Sequence, residues 1–133
     1  MKKVFLFATT VILLASVLSS CKKDKAETTA QKVQHNWTIV NEIDNFHDAS
    51  GDHIDTINGV AGDFINFNSN GTVTSHFDGS DDSGNYSLLN DTQISINGLT
   101  FTIKTLTDSQ LVLYVKDVIS SDEYDEETIN LKR

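Results

Sequence analysis

From Trp37 onward, apolar residues recur at every second position in short runs, and each run ends in a cluster of Asn, Asp, Ser or Gly. The runs are Ile65/Phe67, Val73/Ser75/Phe77, Tyr86/Leu88, Ile94/Ile96, Phe101/Ile103, Leu111/Leu113/Val115 and Ile129/Leu131. Successive side chains of a strand point to opposite faces, so a period of two marks a sheet with one face in a core and the other in water. No part of this region sustains the i, i+3, i+4 stripe of an amphipathic helix. The pattern predicts eight strands, at 36–43, 62–68, 72–77, 84–89, 93–97, 99–107, 111–117 and 126–132. Most connections between them are short, which favours pairing of each strand with the next. Eight strands paired in this way close into a barrel and leave no exposed edge. The expected fold is therefore all-β, an eight-stranded antiparallel up-and-down barrel. A β-sandwich would need longer crossing connections than most of these.

Parity sets the register of the turns, because a one-residue slip moves every apolar side chain to the wrong face. Asn97-Gly98 suits a two-residue type I′ turn, which pairs Ile96 with Leu99 and Ile94 with Phe101. A three-residue loop at Ser69-Asn70-Gly71, with Gly71 left-handed, pairs Phe67 with Val73 and Ile65 with Ser75. A three-residue loop at Asn90-Asp91-Thr92 pairs Leu88 with Ile94 and Tyr86 with Ile96.

The N-terminal region is of another kind. Met1-Lys2-Lys3 is followed by residues 4–18, which carry no charge. A basic start, ~7–15 apolar residues and then small residues are the form of a secretory signal. The run is too short for a membrane span, which needs ~20 apolar residues. Leu18-Ser19-Ser20-Cys21 follows, and Cys21 is the only cysteine of the chain. This resembles the lipobox of bacterial lipoproteins, in which small residues admit the peptidase and the thiol takes a diacylglycerol. The resemblance implies a signal peptide over 1–20, removed in the mature protein, and lipid attachment at Cys21. No thiol would then remain for a disulfide, a metal or a nucleophile. Residues 21–32 are polar and are expected to form a flexible lipid-anchored tether, with the barrel domain over 33–133. The eleven residues after Cys21 would reach ~35 Å if extended. Lys22 stands where some lipoproteins carry the aspartate that keeps them at the inner membrane. The expected location is therefore the cell envelope, at the outer membrane, periplasmic or surface-exposed.

Charge narrows the partners. The chain has a net charge of −9, and no Lys or Arg lies between Val33 and Ile103, where ten Asp or Glu fall. Such a surface repels phosphates, so nucleic acid is excluded as a partner. Lys22, Lys23, Lys25 and Lys32 would lie nearest the lipid head groups.

At the level of motifs, "HNWTIV", "DFINFNSNGTVT", "GNYSLLNDTQISING" and "FTIKTLTDSQLVLYV" resemble, in this order, the small lipocalin-like lipoproteins of Gram-negative bacteria. That family's pattern has a Gly-x-Trp first strand, an aromatic strand ending in an Asn/Asp-Gly turn, a Gly-x-Tyr strand and a Leu-Thr-x-x-x-Leu-x-Leu hairpin. Trp37, Phe67, Gly71, Gly84, Tyr86, Leu106, Leu111 and Leu113 occupy the matching positions, while His35 stands where the family has glycine. The resemblance implies a barrel and an extracytoplasmic location, and no particular ligand.

The candidate sites follow from this barrel. Trp37, Phe67, Phe77, Tyr86 and Phe101 are expected to face inward. They either line a pocket for a small apolar ligand or fill the core, since a barrel of eight strands is just wide enough for either. Residues 44–61 form the longest connection and are expected to make a solvated loop over the barrel mouth. It carries Asp44, His47, Asp48, Asp52, His53 and Asp55, of which His47, Asp48, Asp52 and His53 are candidate ligands for a divalent metal. Their spacing matches no calcium-loop or zinc-finger pattern. Residues 77–85 and 120–127 read as acidic hairpin loops. No nucleophile elbow, His-Glu-x-x-His helix or phosphate-cradling loop is present, so no catalysis and no cofactor are expected. The functional expectation is a lipid-anchored protein that binds a small apolar ligand or an envelope protein. The alternatives are an interaction lipoprotein with a filled barrel acting through its acidic loops, and metal binding by residues 44–61.

Overall fold

The computed structural model describes residues 26–133. The expected signal segment, Cys21 and the lysines at 22, 23 and 25 lie outside the described residues. In chain order the elements are α1 (Thr29–Val33), β1 (Asn36–Asp48), β2 (Gly51–Asn58), β3 (Phe64–Phe67), β4 (Thr72–Phe77), β5 (Ser80–Asn90), β6 (Gln93–Ile96), β7 (Leu99–Leu106), β8 (Gln110–Ser120) and β9 (Glu123–Lys132).

Strands β3 to β9 pair antiparallel, each with the next. β1 closes the ring, pairing through residues 36–38 with β3 and through residues 38–47 with β9. The result is the expected closed eight-stranded antiparallel up-and-down barrel, lipocalin-like in form. Its strands coincide with the runs of alternating apolar residues. The inner face collects Trp37, Ile39, Phe67, Val73, Tyr86, Ile94, Phe101, Ile103, Leu111, Leu113, Ile129 and Leu131, all buried.

The turn registers follow parity. Ile96 faces Leu99 and Ile94 faces Phe101, with positive φ at Asn97 (50°) and Gly98 (90°) as a type I′ turn requires. Phe67 faces Val73 and Ile65 faces Ser75, with Gly71 at φ 85°. Leu88 faces Ile94 and Tyr86 faces Ile96, but the loop between them differs from expectation. Asn90 pairs with Gln93, so the loop is two residues long and the register shifts at Leu89. The Asn90 side chain accepts from the backbone N–H and the hydroxyl of Thr92, and this Asx turn tightens the loop.

The largest correction concerns residues 44–61. All but the connection after Asn58 is strand and turn rather than an open loop. β1 runs on to Asp48, turns through Ala49-Ser50 and returns as β2, a ninth strand outside the ring. Among the described residues, β2 pairs only with residues 41–48 of β1. The acidic stretches at 77–85 and 120–127 are also largely strand. Their turns are reduced to Asp78-Gly79, both at positive φ, and Ser121-Asp122. Beyond the barrel rim, β2, β1, β9 and β8 therefore continue as a four-stranded extension. Both of its faces meet solvent, so its residues carry no apolar–polar alternation from which a strand could be read.

The other end of the barrel is closed. The capping box of Thr28 and Gln31 starts α1, which seats Val33 in the core. Trp37 Nε1 donates to the Val33 carbonyl at 2.9 Å, and the Arg133 guanidinium stands 5.5 Å from the Trp37 ring centre. Lys32 pairs with Asp108 at 2.9 Å, and Thr29 donates to Asp91 at 2.8 Å. Residues 29–32, expected within the tether, thus belong to a capped helix packed on the barrel base.

Candidate functional site

The interior is filled by the residues expected to line a pocket. Trp37 and Phe67 are fully buried, and Tyr86 meets Phe67 edge-on with ring centres 5.0 Å apart. The Tyr86 hydroxyl donates to the Asn68 carbonyl at 2.9 Å, which satisfies its one polar atom. Phe77 is half-buried against this core. Phe101 borders a cavity inside the barrel. That cavity measures about 90 Å³ and is otherwise lined by Ile65, Val73, Ser75, Asp82, Ser83, Ile96, Asn97 and Ile129. Pockets for drug-sized ligands run from ~300 Å³ upward, so this space suits a few atoms.

The extension is the other candidate, and its two faces differ in chemistry. Strand alternation and the register place Asp52, His47, Tyr124 and Val118 in one row of the outer face, and Ile54, Asn45, Glu126 and Lys116 in the next. Here opposite groups meet. His47 Nδ1 lies 2.7 Å from Asp52, and its ring stacks on Tyr124 with centres 4.6 Å apart. Lys116 covers the Tyr124 ring at 3.2 Å and reaches Glu126 at 3.1 Å. The Tyr114 hydroxyl donates to Glu126 at 2.7 Å. That bond and Lys116 hold the Glu126 carboxyl below its usual range, and the same bond pushes the Tyr114 phenol up. The hydrogen bond to His47 lowers Asp52 in the same way.

The inner face continues the core side of the barrel strands. Asp55, Asp44 and Glu127 lie directly opposite one another across β2, β1 and β9. Asp125 and Asp117 form a neighbouring pair across β9 and β8, and Glu42 lies on the same face beside Ile129. Among the described residues, none of these carboxylates makes an ion pair. Like charges directly opposite in a sheet destabilise it, and the carboxyls register this. Glu127 is pushed up to about 7, first by burial and then by Glu42, Asp44 and Asp125. Glu42 is raised by burial and by Asp44. Asp44 is raised by burial and by the charges of Asp125 and Asp55.

The four metal candidates do not converge. His47 and Asp52 sit on the outer face, while His53 and Asp48 sit on the inner, with His53 Nε2 3.3 Å from Asp48. Ser50 donates twice to Asp48 and holds its carboxyl down at about 2. Among the described residues, no three His, Cys, Asp or Glu are grouped as a metal site.

Sequence reasoning missed Glu42, Asp117, Asp125 and Glu127 as members of one face. Their shared parity was readable once β1 and β9 were paired, but the bulge at Val40 reverses the parity of β1 midway. That shift turns Glu42 and Asp44 inward, where unbroken alternation from Trp37 would place Ile43. The chain matches no protein-family model, and comparison with curated proteins gives no match.

Proposed function

We propose that this protein is a lipid-anchored envelope protein that works by binding rather than catalysis, with a filled barrel as scaffold and the four-stranded extension as the surface that meets a protein partner. One observation carries the reading. The barrel interior retains a cavity of only about 90 Å³, while about half of β1, β8 and β9 and all of β2 are committed to the extension beyond the rim. The polarity of the molecule supports it. α1, the start of β1 and the C-terminus gather at the closed base through Trp37, Lys32 and Arg133. The extension lies at the opposite end, at the far tips of β1 and β8. A diacylglycerol on Cys21, five residues before Ala26, would hold the base within ~18 Å of the membrane and leave the extension facing away from it.

The test is site-specific photocrosslinking in intact envelopes. A benzophenone side chain is placed at Ile54 or Val118 on the extension, or at Leu89 on the barrel wall; all three positions are exposed. A discrete adduct is expected from Ile54 or Val118 and none from Leu89. Equal labelling from all three positions, or none from the extension, would refute the reading.

A second reading rests on the cavity. Its wall of Ile65, Val73, Ile96, Phe101 and Ile129 is apolar, with Ser75, Asp82, Ser83 and Asn97 at one side, a composition that suits a small apolar ligand with one polar group. Xenon or benzene is then expected to shift the NMR signals of Phe101 and Ile129 and leave those of Trp37 unmoved. Unchanged spectra would remove this reading.

A further inference from the structure

We propose that the free edge of β2 receives an extended segment of the partner as an added strand, and that this segment carries basic side chains on the face of Asp55 and apolar side chains on the face of Ile54. The inference rests on the interaction reading above and gives it a mode and a chemistry.

Among the described residues, β2 lies at the end of the strand order and pairs on one side alone. An edge strand presents alternate N–H and C=O groups to solvent. One such group is visible. The Thr56 N–H does not join the ladder with β1 and bonds instead to the Asp55 carboxylate at 2.8 Å. The aspartate thus covers a backbone donor that an added strand would use. A basic side chain beside Asp55 would draw this carboxylate away and free the donor.

Proteins commonly guard such edges with proline, lysine, a bulge or short length. β2 spans eight residues in unbroken register and contains no proline, lysine or arginine. Five consecutive residues, 52–56, are exposed, and Ile54 keeps 68 % of its surface in water. The opposite edge of the extension, formed by the distal part of β8, is guarded. Lys116 lies on it, and the register shifts between Val118 and Ser120.

Charge selects the occupant. The row Asp55, Asp44, Glu127 ends at the β2 edge. A Lys or Arg opposite Asp55 would occupy the next place in that row and supply the cation it lacks. A second copy of this chain fits poorly. Its β2 carries neither Lys nor Arg to place beside Asp55. Strand addition draws affinity from main-chain bonds and specificity from alternate side chains, which here means basic on one face and apolar on the other.

The probe is an acetylated (Lys-Val)4 peptide, titrated into the purified full-chain protein and followed by backbone-amide NMR and calorimetry. Shifts and new exchange protection are expected along residues 51–58, with affinity falling about tenfold on going from low to ~0.5 M salt. A (Glu-Val)4 peptide is expected not to bind. Thr56→Pro removes no ladder bond, so it is expected to keep the melting temperature while weakening (Lys-Val)4 at least about tenfold. Asp55→Lys is expected to exchange the preference for (Glu-Val)4. Binding to Thr56→Pro as tight as to the native chain would mean adsorption to an acidic surface and would overturn the proposal. So would shifts centred elsewhere, equal binding of both peptides, or a dimer paired through β2 in sedimentation. Crosslinks from Ile54 in envelopes without any peptide-induced protection of β2 would sink strand addition and leave the interaction reading standing.

Discussion

At the scale of single residues, Glu127 is the group whose surroundings most alter its chemistry. It is half-buried between Asp44 and Val115 in neighbouring strands, and its carboxyl stands at about 7 rather than 4.5. A carboxyl raised in the folded state binds its proton more tightly there than in the unfolded chain. Its contribution to stability is therefore full below about 4.5 and is lost as pH rises through about 7. Glu42 and Asp44, raised for the same reasons, act in the same direction. Glu126 and Asp52 are lowered and act oppositely, so their contribution is present at neutral pH and fades on acidification. Glu127→Gln is expected to stabilise the protein by about 1 kcal/mol at about pH 8, after discounting for solvent screening. At about pH 5 it should change little, because the native carboxyl is already neutral there. Thermal melts of both proteins across this range check the sign. A variant that is less stable at high pH would show that the acidic row is not repulsive.

At the scale of elements, β2 shows where sequence patterning stops working. In "DNFHDASGDHIDTIN" each face mixes polar and apolar residues, so alternation carries no signal, and the stretch reads as loop. The hairpin is instead held by its register with β1 and by the crossing at Gly59. The Gly59 N–H donates to the Val40 carbonyl at 2.9 Å, and a Cβ at Gly59 would overlap the Ile39 carbonyl. Backbone cannot step aside as a side-chain tip can. Gly59→Ala is expected to cost about 2–4 kcal/mol and to lower the melting temperature by about 10 °C or more. A variant that melts like the native chain would show that the β2–β3 crossing is more open than this. α1 is the opposite case, a short helix with a readable cap. Thr28→Ala removes the capping box of Thr28 and Gln31 and is expected to cost about 1 kcal/mol in chemical denaturation. No measurable change would mean that packing of Val33 and Lys32 on the base holds the helix without its cap.

At the scale of the whole molecule, the two ends divide the work. The base is closed by an aromatic, a helix and two cations, and the far end opens into a sheet with dissimilar faces. Phe67→Ala, which removes a fully buried ring, is expected to cost about 3–5 kcal/mol, because a filled barrel has no spare volume to collapse into. A loss under about 1 kcal/mol, measured by denaturant unfolding, would indicate a looser interior than the described packing. Cys21→Ser is expected to abolish lipid attachment, shift the protein out of the detergent phase on phase partition and leave the barrel's melting unchanged. A mature-length serine variant that still partitions with detergent would rule out the anchor.

The sequence alone determined the barrel. A period of two, short turns and parity at Asn97-Gly98 and Gly71 leave one register that buries Trp37, Phe67, Tyr86 and Phe101 together, because a one-residue slip would turn them all into water. It also carried the lipobox reading, which is a matter of local residue order. Only the tertiary structure decided what those aromatics do and where the acids lie. Whether inward side chains leave a cavity depends on how far they interdigitate across the barrel, which no single strand encodes. Whether Asp44, Asp55 and Glu127 meet depends on the bulge at Val40 and on a strand with no buried face. Such a strand is held by hydrogen bonds to its neighbour rather than by burial, and hydrogen bonding of the backbone leaves no mark on side-chain pattern.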